Sequence, residues 1–278
     1  MGMEGDLVTE KFSVLMPLYR GDEPARFSLA LNSVFSGTLC PDEVVLVVDG
    51  PISPGLEEVI RERTRDELVV VRHEHNKGLA AALNTGLSHI THEIVIRADS
   101  DDVNGLHRFE KLLQAMEKGY DIVGSNVEEV DESGALVAIR KAPETRPEIM
   151  RFAMRRNPFN HMSVAFRRTV VVREGGYPAN YLREDYVLWI RLLANGASAY
   201  NLQENLVQAQ AGTGMFERRG GLKYALGELG LQKDLCRLGF KSPLRAVYDG
   251  LMRATVFLAP PRLRAWVYHT FLREDPCA

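Results

Sequence analysis

The feature that most constrains this chain is an alternation, over residues 12–101, of short β-branched runs with longer segments of helical periodicity. The runs fall at 12–18, 43–49, 68–73 and 93–98 and predict strands. Between them, 24–35, 55–65 and 78–90 place apolar residues at helical spacing, with Leu79, Leu83 and Leu87 on one stripe. A βαβαβαβ series requires a parallel sheet covered by helices on both faces, so the expected class is α/β.

Each strand ends in polar, Pro or Gly residues: Pro17-Leu18-Tyr19, Asp49-Gly50-Pro51, Asn76-Lys77-Gly78 and Asp99-Ser100-Asp101-Asp102. Ligands of open parallel sheets sit beyond the carboxyl ends of the strands, so four independent ends point to one site. The second half is less regular. It predicts strands at 122–130, 136–140 and 161–166 and helices at 147–156 and 186–195, read as an antiparallel extension of the same sheet because no linker intervenes.

Beyond about residue 212 the chain turns toward Arg, Lys and Leu, with helices expected at 222–238, 244–258 and 262–273. Arg253, Arg262, Arg264 and Arg273 interleave there with Phe257, Leu263, Trp266, Tyr268 and Phe271. Helices resting on anionic lipid carry that pattern, and so does a basic hairpin packed on a domain. The expected division is a main domain over 1–211, with halves of about 10–102 and 103–211, and a C-terminal helical extension over 212–278.

Composition removes several function classes. With 34 basic and 37 acidic side chains the formal charge is -3, leaving no global positive field for nucleic acid. Cys40, Cys236 and Cys277 lack metal-ligand spacing, and the first ten residues lack the basic start and apolar core of a signal peptide. No run of about 18 apolar residues occurs. The expectation is a cytoplasmic protein, compatible with peripheral attachment at the inner face of a membrane.

Asp99-Ser100-Asp101-Asp102 follows the apolar run Ile94-Val95-Ile96, and in extended chain Asp99 and Asp101 share a side. Carboxylates gathered in a cleft repel one another unless a cation neutralises them, and hard oxygen ligands suit Mg²⁺ or Mn²⁺. Such a cluster alone reads more readily as a solvated turn or a helix cap.

Five motifs in order add context. Val14-Leu15-Met16-Pro17-Leu18-Tyr19, Val45-Leu46-Val47-Val48-Asp49-Gly50, Asn76-Lys77-Gly78-Leu79-Ala80-Ala81-Ala82-Leu83-Asn84, Arg97-Ala98-Asp99-Ser100-Asp101-Asp102 and Glu184-Asp185-Tyr186-Val187-Leu188-Trp189 together resemble the motif set of the family 2 inverting glycosyltransferases, over about 12–196. The resemblance implies a GT-A fold, a Rossmann-like mixed sheet flanked by helices. It also implies transfer of a sugar, with inversion, from a nucleotide diphosphate sugar, usually a uridine one, to a saccharide or lipid-linked acceptor. The layout resembles bacterial enzymes that build exopolysaccharide, capsule or lipopolysaccharide.

By the same resemblance, Pro17 and Tyr19 line the nucleoside, Asp49 accepts a hydrogen bond from the base, and Lys77 lies beside base and phosphates. Arg97 and Asp99 face ribose and diphosphate, Asp101 with Asp99 holds the metal, and Asp185 of the pair Glu184-Asp185 is the catalytic base. Arg20-Gly21-Asp22-Glu23 departs from the Asn-Glu pair of many relatives. His161, Tyr177 and Trp189 are candidates for the acceptor side, and Arg218 and Arg219 for a segment closing over phosphate.

The residues alone leave Glu184-Asp185 open to a second role as acidic first-turn residues of a helix, which would lower their pKa. Two rival functions follow from the same sequence. A nucleotidyltransferase would show a Gly-rich loop after the first strand, and Pro17-Leu18-Tyr19-Arg20-Gly21 is not one. A catalytically silent sugar-nucleotide-binding subunit would tolerate loss of the acidic motifs, and both are intact.

Overall fold

The structure is a computed structural model that describes residues 10–178, 182–211 and 221–259. Strands β1 (Phe12–Leu18), β2 (Glu43–Val48), β3 (Leu68–Arg72) and β4 (Ile94–Arg97) are parallel, joined by helices α1 (Pro24–Phe35), α2 (Pro54–Glu62) and α3 (Leu79–His89). Then come β5 (Val103–Asn104), α4 (Arg108–Met116), β6 (Ile122–Val130), β7 (Leu136–Arg140) and α5 (Arg146–Ala153). They are followed by β8 (Ala165–Arg167), α6 (Arg168–Arg173), α7 (Glu184–Ala194), β9 (Ala199–Gln210), α8 (Leu222–Arg237) and α9 (Pro243–Leu258).

All nine described strands form one sheet in the order β3-β2-β1-β4-β8-β6-β9-β5, with β7 added beside β6. The second half is mixed rather than simply antiparallel. Strand β8 runs against both β4 and β6, which makes β6 parallel to β4, and β9 pairs with β6 in parallel. The strand expected at 161–166 begins later, because His161–Ser163 forms a turn of 3₁₀ helix.

Alternation along the strands builds two cores. Val14, Met16, Val44, Leu46 and Val48 face α1, α2 and α4, while Leu15, Val45 and Val47 face α3 and α7. Both faces of the central strands are therefore buried, as their apolar runs require. Helix α3 lies so close to β1 that a Cβ on Gly86 would fall 2.2 Å from Leu15 Cδ1, and any larger residue there would have to displace the Leu15 side chain.

Helices α8 and α9 pack against each other, and α8 also meets α7. No helix among the described residues is long and apolar enough to cross a membrane.

Candidate active site

The carboxyl ends of β1, β2 and β4 converge as the sequence implied, and the β2 end is locked from within. Asp49 is 4% exposed, and its carboxylate accepts from Lys77 N and Gly78 N, each at 2.8 Å, and from His73 Nδ1 at 2.8 Å. Thr85 meets the other His73 nitrogen at 2.9 Å. Gly50 takes φ +88 with its Cα against Asn76, where any Cβ would lie 2.6 Å from the Asn76 nitrogen. Asp49 thus fixes the turn that carries Lys77, whose side chain is exposed. Pro17 is buried in β1, and Tyr19 stands 46% exposed at the mouth.

Beyond β4 the chain turns at once, so Asp99 and Asp101 do not share a side through extended i, i+2 geometry. The turn itself gathers Asp99, Asp101 and Asp102, with one oxygen from each within 4.8 Å of the others. Asp102 is the member that spacing missed, since only a turn brings adjacent residues to one point. It is buried, and its Oδ2 has no hydrogen-bond partner among the described residues. Burial pushes the pKa of Asp102 well up, reinforced by Asp99 and Asp101, and loss of hydration with the Asp99 charge raises Asp101.

Asp22 ties the first-strand loop to this turn. Its Oδ2 accepts from Tyr19 N and from Ser100 Oγ, both at 2.9 Å, and burial pushes its pKa up to about 6. The departure Arg20-Gly21-Asp22-Glu23 therefore supplies a brace that links β1 to the acidic turn.

Arg97 sits beneath the cluster, 1% exposed and ion-paired with Asp99. Burial alone would lower its pKa, but Asp99, Tyr177 and Asp102 together raise it, so it stays charged. Arg108, equally buried, donates to the backbone oxygens of Arg97 (2.6 Å) and Met162 (2.7 Å), and burial pushes its pKa down to about 9. It holds the end of β4 to the segment before β8, a link between α4 and the site that no motif announced.

Asp185 lies in the first turn of α7, half-buried. Its carboxylate accepts from Asn157 Nδ2 at 2.6 Å and from Tyr186 N at 2.7 Å. Burial outweighs these bonds and the charges of Arg183 and Arg97, so the pKa is raised rather than lowered. The adjoining Glu184 begins the helix. Arg183, just before it, pairs at 2.6 Å with Glu228 of α8, which also meets Arg253 of α9 at 3.4 Å.

His161 and Tyr177 meet directly, with the phenol oxygen 3.1 Å from His161 Nε2. Burial, with Arg97 nearby, lowers the His161 pKa, so the ring is neutral at pH 7. Asn84 of α3 pins the Tyr177 backbone through two bonds, at 2.7 and 2.8 Å. Trp189 corrects an expectation: it is wholly buried, packed on Phe159, His161 and Tyr177 at ring-centroid distances of 5.5, 6.0 and 6.4 Å. It packs beneath His161 and Tyr177 as part of the core rather than as an exposed pocket wall. Tyr177 is itself only 1% exposed, so its hydroxyl serves His161. Arg218 and Arg219 lie outside the described residues.

Residues 13–176 match the family described as Glycosyl transferase family 2. An Escherichia coli UDP-Gal:alpha-D-GlcNAc-diphosphoundecaprenol beta-1,3-galactosyltransferase is 40% identical over 269 residues, covering 96% of this chain and 98% of that protein. The amylovoran biosynthesis glycosyltransferase AmsE of Erwinia amylovora is 37% identical over 260 residues, covering 92% and 97%. Among solved structures, S. aureus TarS 1-349 in complex with UDP-GlcNAc superposes with a TM-score of 0.68 at 17% identity, covering 95% of this chain and 77% of that one, which establishes a shared GT-A fold. With both the family match and these relatives spanning most of its length, the chain belongs to the family 2 glycosyltransferases and is an enzyme of that class.

Proposed function

We propose that this chain is a metal-dependent, inverting transferase that moves a sugar from a uridine diphosphate sugar to a hydroxyl of a lipid-linked saccharide, in surface polysaccharide synthesis. The observation that carries the reading is the convergence of Asp99, Asp101 and Asp102 on one point beyond β4, with Arg97 ion-paired to Asp99. The Arg97 charge also acts on Asp101, on Asp102 and on Asp185, the half-buried carboxylate in the first turn of α7. A diphosphate leaving group and an attacking hydroxyl need such an arrangement, with charge neutralisation at one end and a base at the opposite face of the sugar. The names of the Escherichia coli and Erwinia relatives support the acceptor class and the pathway.

Asp99, Asp101 and Asp102 fit a divalent cation. They converge with an unpartnered buried oxygen, and a hard cation relieves their mutual repulsion. When bound, the ion neutralises charge on the departing diphosphate. The protein supplies the rest. Asp49 keeps the Lys77 turn closed, Arg97 holds Asp99 in place, and Asn157 orients Asp185 so that its carboxylate accepts the proton of the acceptor hydroxyl. One displacement by that hydroxyl inverts the anomeric carbon without a protein nucleophile.

The test is a panel of nucleotide sugars incubated with the purified protein and Mn²⁺ or Mg²⁺, following nucleotide diphosphate release. Slow hydrolysis of one uridine sugar, lost on chelation, is expected. Release that survives chelation, or a preference for a non-uridine donor, would overturn the corresponding part.

We further infer that the C-terminal pair α8–α9 rests on a membrane. Helix α9 turns Leu244, Val247, Tyr248, Leu251 and Met252 outward, 53–86% exposed, while Ala246, Asp249, Gly250 and Ala254 face the protein. An apolar stripe facing water while small residues face inward is the reverse of a surface helix. Leu244→Glu with Leu251→Glu is expected to abolish sedimentation with anionic vesicles and leave hydrolysis of the soluble donor unchanged. Undiminished sedimentation would remove this part of the reading. The division into a main domain over 1–211 and an extension over 212–278 belongs to the same proposal.

A further inference from the structure

A groove of about 810 Å³ opens between α5 and the segment that follows β7. Lys141 and, on or just after α5, Arg151, Arg155 and Arg156 line it. Among the described residues none of these four cations forms an ion pair. Two carboxylates share the groove, and each has donors of its own. Glu144 accepts from the Tyr200 hydroxyl at 2.5 Å, and Glu148 accepts from Thr145 N and Thr145 Oγ1 at 2.9 Å in a capping box. Arg151 acts on Glu148 only from a distance. The groove therefore carries a net excess of two positive charges.

Two of the lining cations are chain neighbours of residues that touch or act on the active site. Arg156 immediately precedes Asn157, whose amide holds Asp185 at 2.6 Å. Lys141 immediately follows Arg140, whose charge reaches Asp102. On the outer side, Arg253 of α9 donates to the Arg155 backbone oxygen at 2.5 Å, which sets the groove beside the helix with the outward apolar stripe.

We propose that this groove binds the diphosphate of the acceptor. The inference rests on the reading that the acceptor is a lipid-linked saccharide. In such an acceptor the reactive hydroxyl, the anionic linkage and the lipid follow one another in that order. On the protein, Arg155 and Arg156 lie in the chain just before Asn157, which holds Asp185, and the Arg155 backbone meets Arg253 of α9, so the cations adjoin both the base and that helix. Arginines suit this ligand because a guanidinium binds phosphate oxygens in pairs, and an exposed groove leaves them hydrated until it arrives. The site differs from the donor's, where charge is neutralised at the acidic turn.

Calorimetric titration in EDTA tests it, since chelation prevents a cation on the acidic turn from holding the ligand. The probes are a saccharide α-diphosphate with a short alkyl chain and the neutral alkyl glycoside of the same saccharide. The wild type is expected to bind the diphosphate more tightly than the glycoside. Arg151→Ala with Arg155→Ala should weaken diphosphate binding about tenfold, and Lys141→Gln about threefold, with glycoside binding unchanged. These side chains are exposed, and an unchanged melting temperature confirms the fold.

An equal loss for both probes, or none, overturns the proposal. So does weaker UDP binding in Mn²⁺, which would make the groove part of the donor site. If the double variant loses only its affinity for phosphatidylglycerol vesicles, the groove holds lipid headgroups and the proposal falls. A wild type inert with every uridine sugar that still binds the diphosphate through these arginines counts against the transfer reading alone.

Discussion

Asp185→Asn is expected to slow sugar transfer by about 10²–10⁴-fold, the usual contribution of a positioned general base, while donor affinity stays within about twofold. Asn keeps the shape of the side chain, and its one oxygen can keep the bond from Tyr186 N while the bond from Asn157, made to the other oxygen, is given up. What it loses is the ability to take a proton. A metal-bound donor does not touch this group in the proposed arrangement, so the loss should appear in kcat rather than in donor KM.

The same carboxylate sets a pH signature. Burial raises its pKa above the ordinary aspartate value, against the opposing influence of Tyr186 N, Asn157, Arg183 and Arg97. The base works only when ionised, so transfer falls as pH drops through that raised pKa, and the acid limb lies above the ordinary aspartate value. Asn157→Ala removes a donor that favours the ionised form. The limb should then move to still higher pH, with the plateau rate reduced. A pH–rate profile with its acid limb in the ordinary range, unmoved by Asn157→Ala, would assign the base elsewhere.

Which features the sequence disclosed follows from what local patterns encode. Strands β1 to β4 were legible because burial on both faces writes continuous apolar runs, and α1 to α3 because their stripes repeat every three to four residues. Strand β9 was not, since Ala199–Gln210 mixes Gln, Asn and Glu with its apolar residues and is held by parallel pairing to β6 rather than by its own pattern. Helix α4 was missed for a different reason. Its buried face includes Arg108, whose charge reads as solvent-facing until its three oxygen partners are known.

The site divides the same way. Asp49, Arg97, Asp99, Asp101 and Asp185 stand at strand and helix ends where motif and geometry coincide. Asp102, Asp22 and Asn157 depend on a turn or on pairings across 78 and 28 residues, which spacing does not reveal. Trp189 was misplaced because an aromatic residue one turn beyond an acidic pair looks like a pocket wall, whereas the helix rotates it into the core. At the start of α7 burial raises the pKa of Asp185 against the favourable end of the helix dipole, which supports the base reading over the capping one.

The acidic turn yields the other large effect. Millimolar Mn²⁺ is expected to raise the melting temperature of the wild type by several degrees, and EDTA to reverse it, because a ligand that binds only the native state stabilises by mass action. Asp101→Asn and Asp102→Asn should each abolish that response and reduce transfer by about 100-fold or more, since charge on the departing diphosphate is then uncompensated. The decisive contrast is in metal-free protein. An aspartate that merely caps a turn or pairs with a cation costs about 1 kcal/mol when neutralised. Asp102 has an unpartnered oxygen and two carboxylates beside it, so Asp102→Asn removes repulsion and should melt no lower than the wild type. Scanning fluorimetry of the two variants, with and without Mn²⁺, separates the cases. A metal-free Asp102→Asn that melts several degrees lower, together with an intact Mn²⁺ response in Asp101→Asn, would make the cluster a structural turn and place the cation elsewhere.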